Sequence, residues 1–170
     1  MKKIFSIFMV LLLMLVSGAF AAEVGLTDFS TTDLDGNTVT QEIFSDYDLT
    51  MINVWATWCG YCIEEMPALA ELKTRLPENV NLITVCDDAE YEPELVQQIL
   101  TESGANFQTL KPTQEMISQL LAYAYAFPTT FFLDSEGVLV VQPLSGVPSL
   151  EDPAGAYLTV IEKVLEIMES

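Results

Sequence analysis

Three cysteines and no histidine set the limits of what this chain can do chemically. Cys59 and Cys62 flank Gly60-Tyr61, whereas Cys86 stands apart. Two thiols at this spacing lie one helical turn from each other, close enough to share a disulfide. Such a pair serves either zinc or redox chemistry. A closed zinc site takes about four Cys or His ligands, which this composition does not supply, so no metal is expected. The lack of histidine also removes Ser-His and Cys-His catalysis. Three cysteines are too few for a stapled disulfide scaffold. Thiol–disulfide exchange through Cys59 and Cys62 is the chemistry that remains, and it needs no cofactor.

The flanking sequence supports that reading. Leu49 to Ala56 is a mostly apolar run of strand length, suited to a central strand covered on both faces. Cys59 to Leu76 reads as a helix with Leu69, Leu72 and Leu76 on one face, Pro67 inside it as a kink, and Pro77 at its end. The pair therefore opens a helix. There, free backbone N–H groups and the positive end of the helix dipole stabilise a thiolate. Cys59 is expected to be the nucleophile and Cys62 the resolving thiol. Glu65 lies three residues beyond Cys62 on the same helical face, so a carboxylate can stand near that thiol. The competing reading is a solvated glutamate favoured by the helix dipole, which is also what Glu64 is expected to be. Cys86 ends a second apolar strand, Val80 to Cys86, and reads as a small buried hydrophobe. Trp55 is expected in the core and Trp58 in the wall of the site. Asp87, Asp88, Glu90 and Glu92 read as a solvated loop.

The remaining pattern sets the fold class. Phe29 to Thr32 and Thr38 to Thr40 read as a hairpin turning on Asp35-Gly36. Helices are expected over Glu92 to Ser103, Thr113 to Tyr125 and the C-terminal run carrying Tyr157, Val160, Ile161, Val164, Leu165 and Met168. Phe107 to Leu110 reads as a short strand. Thr129 to Asp134 and Val138 to Gln142 flank Ser135-Glu136-Gly137 as a second hairpin. This order predicts an α/β domain: a mixed central sheet with helices on both faces and an N-terminal β-hairpin.

Residues 1–22 read as a signal peptide. Lys2 and Lys3 precede an apolar run from Ile4 to Val16, and Ala19-Phe20-Ala21 follows as a cleavage pattern. The apolar run falls short of the ~20 residues that a membrane span needs, although an uncleaved N-terminal anchor is the alternative. Residues 23–170 are then one exported domain, in the periplasm, the cell envelope or outside the cell. The chain has 6 basic against 25 acidic residues, a net charge of −19. Such a surface repels nucleic acid and anionic membrane surfaces.

The segment Val54-Trp55-Ala56-Thr57-Trp58-Cys59-Gly60-Tyr61-Cys62, followed by Glu64-Glu65-Met66-Pro67, resembles the active-site segment of the thioredoxin superfamily. Within it, the chain is most similar to the TlpA/ResA-like branch of exported thiol–disulfide oxidoreductases. Asp33-Leu34-Asp35-Gly36 and Phe127-Pro128-Thr129-Thr130-Phe131-Phe132-Leu133-Asp134 resemble that branch in order and spacing. The resemblance implies a thioredoxin-like fold and a cis bond at Phe127-Pro128 beside the cysteines. It also implies that Pro128 positions an extended client segment by β-augmentation. Trp58, Gly60 and Tyr61 belong to the same client surface. Phe127 either lines a substrate groove or belongs to the core. The branch places an acid at the position of Glu65 that tunes the thiols and moves protons. Thioredoxins proper carry a buried aspartate where this chain has Asn53, which cannot act as a base.

The activity implied is reduction or exchange of protein disulfides by a monomer, with protein thiol and disulfide clients and a membrane thiol carrier as electron donor. Cytochrome c maturation or envelope redox homeostasis is the implied role. The alternatives are a disulfide isomerase, which would need a further dimerisation domain, and a client-binding module whose disulfide is structural. A peroxiredoxin would need an arginine beside its cysteine, and Arg75 lies far along the helix.

Overall fold

The computed structural model describes residues 24–170. The reading of residues 1–22 as a signal peptide lies outside the described residues. Seven strands and four α-helices run in the order β1 (Ser30–Thr32), β2 (Thr38–Thr40), β3 (Leu49–Trp55), α1 (Gly60–Arg75), β4 (Val80–Cys86), α2 (Pro93–Ser103), β5 (Thr109–Leu110), α3 (Gln114–Gln119), β6 (Thr129–Asp134), β7 (Leu144–Ser145) and α4 (Pro153–Met168). β1 and β2 form an antiparallel hairpin, and the other strands form a mixed sheet ordered β5-β4-β3-β6-β7. β3 runs parallel to β4 and antiparallel to β6.

β3 is central, and every one of its residues is buried. Its side chains alternate between two cores. Leu49, Met51 and Trp55 join Leu69 and Leu72 of α1, Val96 of α2, and Tyr157 and Ile161 of α4 on one side. Ile52 and Val54 join Phe29, Phe44, Met116 and Phe131 on the other. The expected two-sided α/β architecture is present, and β3 delivers the cysteine motif directly from this doubly covered strand.

Two elements depart from the expectations. α3 stops at Gln119, and a 3-10 turn over Leu121–Tyr123 replaces the rest of the helix expected to reach Tyr125. Met116 and Leu120 are buried, whereas Tyr123 and Tyr125 are exposed. Beyond Leu120 only Leu121 and Ala124 are partly buried, too intermittent an apolar face to carry a helix to Tyr125. The expected strand Val138 to Gln142 is reduced to isolated bridges at Val138 and Leu139, and the regular pairing with β6 is made by Leu144–Ser145. The turn at Ser135-Glu136-Gly137 does form, since Asp134 N–H bonds Val138 O at 2.9 Å and Val140 N–H bonds Phe132 O at 2.9 Å. The same segment is shared with the N-terminal residues, because Leu139 N–H bonds Val24 O and Leu26 N–H bonds Gly137 O, both at 2.8 Å. Pro143 then lacks the N–H that a ladder needs.

Gly137 closes this crossing. Its φ is +78°, and a Cβ there would stand 2.7 Å from Leu26 O and 2.9 Å from the Phe44 ring. Gly137→Ala is therefore expected to cost about 1–3 kcal/mol in urea unfolding while leaving the spectrum of the folded protein unchanged. A variant as stable as the wild type would show that the turn relaxes freely.

Candidate active site

Cys59 is the N-cap of α1, with extended backbone (φ −88°, ψ 101°), and its Sγ accepts the Cys62 N–H at 3.3 Å. A turn closed by Cys59 N–H to Ala56 O at 3.1 Å carries the chain from β3 into the helix. Cys59 and Cys62 are joined by a disulfide, with Cα atoms 5.3 Å apart. Cys59 retains 7% of its surface and Cys62 none, so Cys59 is the less enclosed of the pair.

The motif is surrounded by apolar rings. Trp58 and Tyr61 are 70% and 62% exposed. The Trp58 ring packs at 5.6 Å from that of Phe127. The Phe127-Pro128 peptide is cis, and Pro128 O accepts the Gly146 N–H at 2.8 Å, tying this corner to the chain after β7. Phe127 is half-buried and packs on both cores, with its ring also against that of Trp58. Gly60 begins α1 in open space, where an added Cβ would meet nothing.

Glu65 is 1% exposed, whereas Glu64 faces solvent. The Glu65 carboxylate accepts Asn53 Nδ2–H at 2.9 Å on Oε1 and Tyr157 O–H at 3.0 Å on Oε2. Thr130 Oγ1 lies 3.3 Å from both Asn53 Nδ2 and the Tyr157 hydroxyl, which closes a polar ring drawn from β3, α1, β6 and α4. Burial disfavours the charged carboxylate and raises its pKa from an ordinary 4.5 to about 7, against the pull of the Asn53 and Tyr157 bonds. A shallow cavity of about 130 Å³ is lined by Glu65 together with Tyr61, Glu64, Val147, Leu150 and Pro153.

Cys86 is buried and unpaired. Its thiol donates to Asp88 Oδ1 at 3.2 Å, and burial, followed by the bond and charge of Asp88, pushes it well above the ordinary thiol range. Asp88 is not a solvated loop residue. Its Oδ1 also accepts the Thr57 N–H at 3.0 Å, and its Oδ2 accepts the Thr57 hydroxyl. Burial opposes ionisation of Asp88, yet the Thr57 and Cys86 bonds hold its pKa below the usual carboxylate value. The loop that presents Trp58 and Cys59 is thus clasped to the end of β4. Arg75 pairs with Glu71 at 2.9 Å near the far end of α1 from Cys59.

Sequence reasoning missed Tyr157, Thr130, Thr57 and Asp88. Tyr157 had a usable signal, since a tyrosine on the buried face of a helix needs a partner for its hydroxyl.

The sequence pattern of the AhpC/TSA family matches residues 24–142. The chain is 34% identical over 139 residues to thiol-disulfide oxidoreductase ResA of Geobacillus kaustophilus, covering 78% of this chain and 75% of that one. It is 30% identical over 105 residues to thiol:disulfide interchange protein DsbE of Haemophilus influenzae, covering 62% of this chain and 55% of that relative's length. Among solved structures, a thioredoxin family thiol:disulfide interchange protein from Chlorobium tepidum superposes with a TM-score of 0.66 at 19% identity, over 83% of this chain and 98% of that one. A secreted Mycobacterium tuberculosis disulfide oxidoreductase homologous to DsbE gives 0.61 at 19% identity, over 78% and 96%. These two share the thioredoxin fold with this chain.

The raised pKa of Glu65 has a consequence for stability. Between pH 4.5 and about 7 the folded protein keeps a proton that the unfolded chain has lost. The stabilisation is therefore full below the unfolded value and is lost as pH rises through the folded one. Glu65→Gln should remove this fall, changing the stability difference between the two ends of the window by on the order of 3 kcal/mol relative to wild type. Urea unfolding of the oxidised proteins across this range measures it, and parallel pH curves would show that Glu65 does not titrate there.

Proposed function

Because the chain belongs to the AhpC/TSA family and is a thiol–disulfide oxidoreductase, we propose that it reduces or exchanges protein disulfides outside the cytoplasm, Cys59 attacking and Cys62 resolving. The observation that carries this reading is the placement of the pair: Cys59 at the N-cap of α1 with residual exposure, Cys62 fully buried one turn behind it. The Cys59 thiolate attacks one sulfur of a client disulfide. A Cys59–client disulfide forms, and the other client sulfur leaves as a thiolate. Cys62 passes its proton to Glu65 and attacks Cys59 Sγ, releasing the second client thiolate and forming the Cys59–Cys62 disulfide. Two electrons pass to the client, and the structure holds the oxidised product of that cycle.

In this reading Pro128, the Trp58–Phe127 pair, Gly60 and Tyr61 receive the extended client segment beside the cysteine motif. The open space at Gly60 and the exposure of both Trp58 and Tyr61 support such docking. Glu65 takes the Cys62 proton while ionised and returns it to water through the cavity beside Tyr61 and Glu64. Re-reduction falls to a membrane thiol carrier. Export is supported by the pattern of residues 1–22 and by the secreted structural relative. A role in cytochrome c maturation or envelope redox homeostasis rests on the family resemblance.

Three experiments test the scheme. Brief alkylation of the reduced protein should label Cys59 before Cys62, and the Cys59–Cys62 couple should have a reduction potential above about −300 mV, the level below which structural disulfides typically lie. A potential below that level would favour the client-binding module. In stopped-flow assays Glu65→Gln should lengthen the life of the mixed disulfide around pH 7 by about tenfold or more, the usual weight of a general base, while Glu64→Gln behaves as wild type. Equal resolution rates for all three proteins would remove Glu65 from the mechanism.

A further inference from the structure

Tyr157 is fully buried in α4, and its hydroxyl crosses the core to Glu65 Oε2 at 3.0 Å. Counting hydrogens fixes how the ring is wired. The Asn53 amide nitrogen bonds Glu65 Oε1 at 2.9 Å and Thr130 Oγ1 at 3.3 Å, which uses both of its hydrogens. An ionised carboxylate only accepts, so the single Tyr157 proton goes to Oε2. The 3.3 Å contact between Thr130 and Tyr157 then runs from the threonine hydroxyl to the phenol oxygen. Every donor is committed, while Asn53 Oδ1 is a buried acceptor with no partner. The ring has a spare acceptor and no spare donor. With Glu65 ionised, its two donors are Asn53 and Tyr157.

We propose that Tyr157 is the positioning residue that keeps Glu65 ionisable inside the core and thereby sets the pH at which Glu65 can accept the Cys62 proton. The catalytic half of this statement rests on the reading of Glu65 as the base. Donors to a carboxylate favour its charged form and work against desolvation. Tyr157 is a permanent donor, because burial and then the Glu65 charge push its own ionisation far above the ordinary phenol range. From β3 the neutral Asn53 amide donates to the carboxylate, and from β6 the neutral Thr130 hydroxyl bonds Asn53 and Tyr157. From α4 comes Tyr157. α1 contributes Cys62 one turn earlier, with Tyr61 and Glu64 at the rim of the cavity.

Tyr157→Phe keeps the ring in the core and removes only the hydroxyl. The carboxyl stretch of Glu65, isolated in infrared spectra of the oxidised protein by subtracting the Glu65→Gln variant, reads its titration without reference to activity. Loss of one charge-assisted donor should move the midpoint upward by about one pH unit. The pH profile of mixed-disulfide resolution should follow, with a rate about fivefold lower near pH 7 that converges on wild type at higher pH. A folded variant whose infrared midpoint does not move overturns the proposal, even if its stability falls. Should the midpoint move while resolution does not, Tyr157 keeps its hold on Glu65, and the reading of Glu65 as base fails instead. If the Phe variant does not fold, 3-fluorotyrosine at position 157 supplies a more acidic donor of nearly the same shape. The midpoint should then move downward, and an unmoved midpoint overturns the proposal.

Discussion

A carboxylate removed from water is the constraint around which this domain is arranged. Glu65 sits 1% exposed on α1, three residues beyond Cys62, where desolvation of the charged form is expensive unless it is hydrogen-bonded. The donors come from Asn53 on β3 and Tyr157 on α4, with Thr130 on β6 linking the two. Each lies on a different element, so the ring forms only when β3, β6, α1 and α4 are packed in their final relation. A half-satisfied network would be worse than an apolar core, which makes the ring a demand on the packing as much as a product of it.

The sheet meets that demand by placing a strand buried along its whole length at the centre. β3 alternates between two cores, and Asn53 interrupts the series on the side facing α1 and α4, between Met51 and Trp55. The parallel pairing of β3 with β4 brings Trp55 opposite Cys86, so the segments leaving both strands emerge at one edge. There the β3–α1 loop is clasped by Asp88, and Pro128 arrives from the antiparallel β6 side. Cys59 is thus held at the edge of the sheet by elements that are themselves buried, a rigid mount for the redox pair.

How much of this could be read beforehand depended on whether the relevant physics was local. The cysteine pair, its strand-to-helix setting and the two-sided sheet follow from spacing and periodicity along short windows, and all three are present. The Phe127-Pro128 cis bond carries no local signature and came from resemblance alone. Tyr157 and Thr130 escaped because their partner is distant in sequence; on its own helix Tyr157 looks like one more apolar position. Asp88 was misread because it stands in an acidic stretch, where solvation is the ordinary fate, and only the β3–β4 register brings Thr57 to it. The strand expected over Val138 to Gln142 failed for a similar reason, since its hydrogen bonds are divided between β6 and residues near the start of the described chain.

The third cysteine shows how the same edge of the sheet separates one thiol from the chemistry of the other two. Cys59 stands where helix N–H groups favour a thiolate, and its Sγ already accepts one of them. Cys86 stands at the end of β4 with no helix terminus to stabilise its charge, buried and donating to an ionised carboxylate. Both circumstances act in the same direction, keeping Cys86 protonated and poorly nucleophilic. Asp88 therefore does two things with one carboxylate. Through Thr57 it fixes the loop that presents Cys59, and through Cys86 it holds a nearby thiol out of exchange. A neutral residue in its place would loosen the first arrangement and relax the second, which couples the geometry of the redox motif to the silence of the remaining thiol.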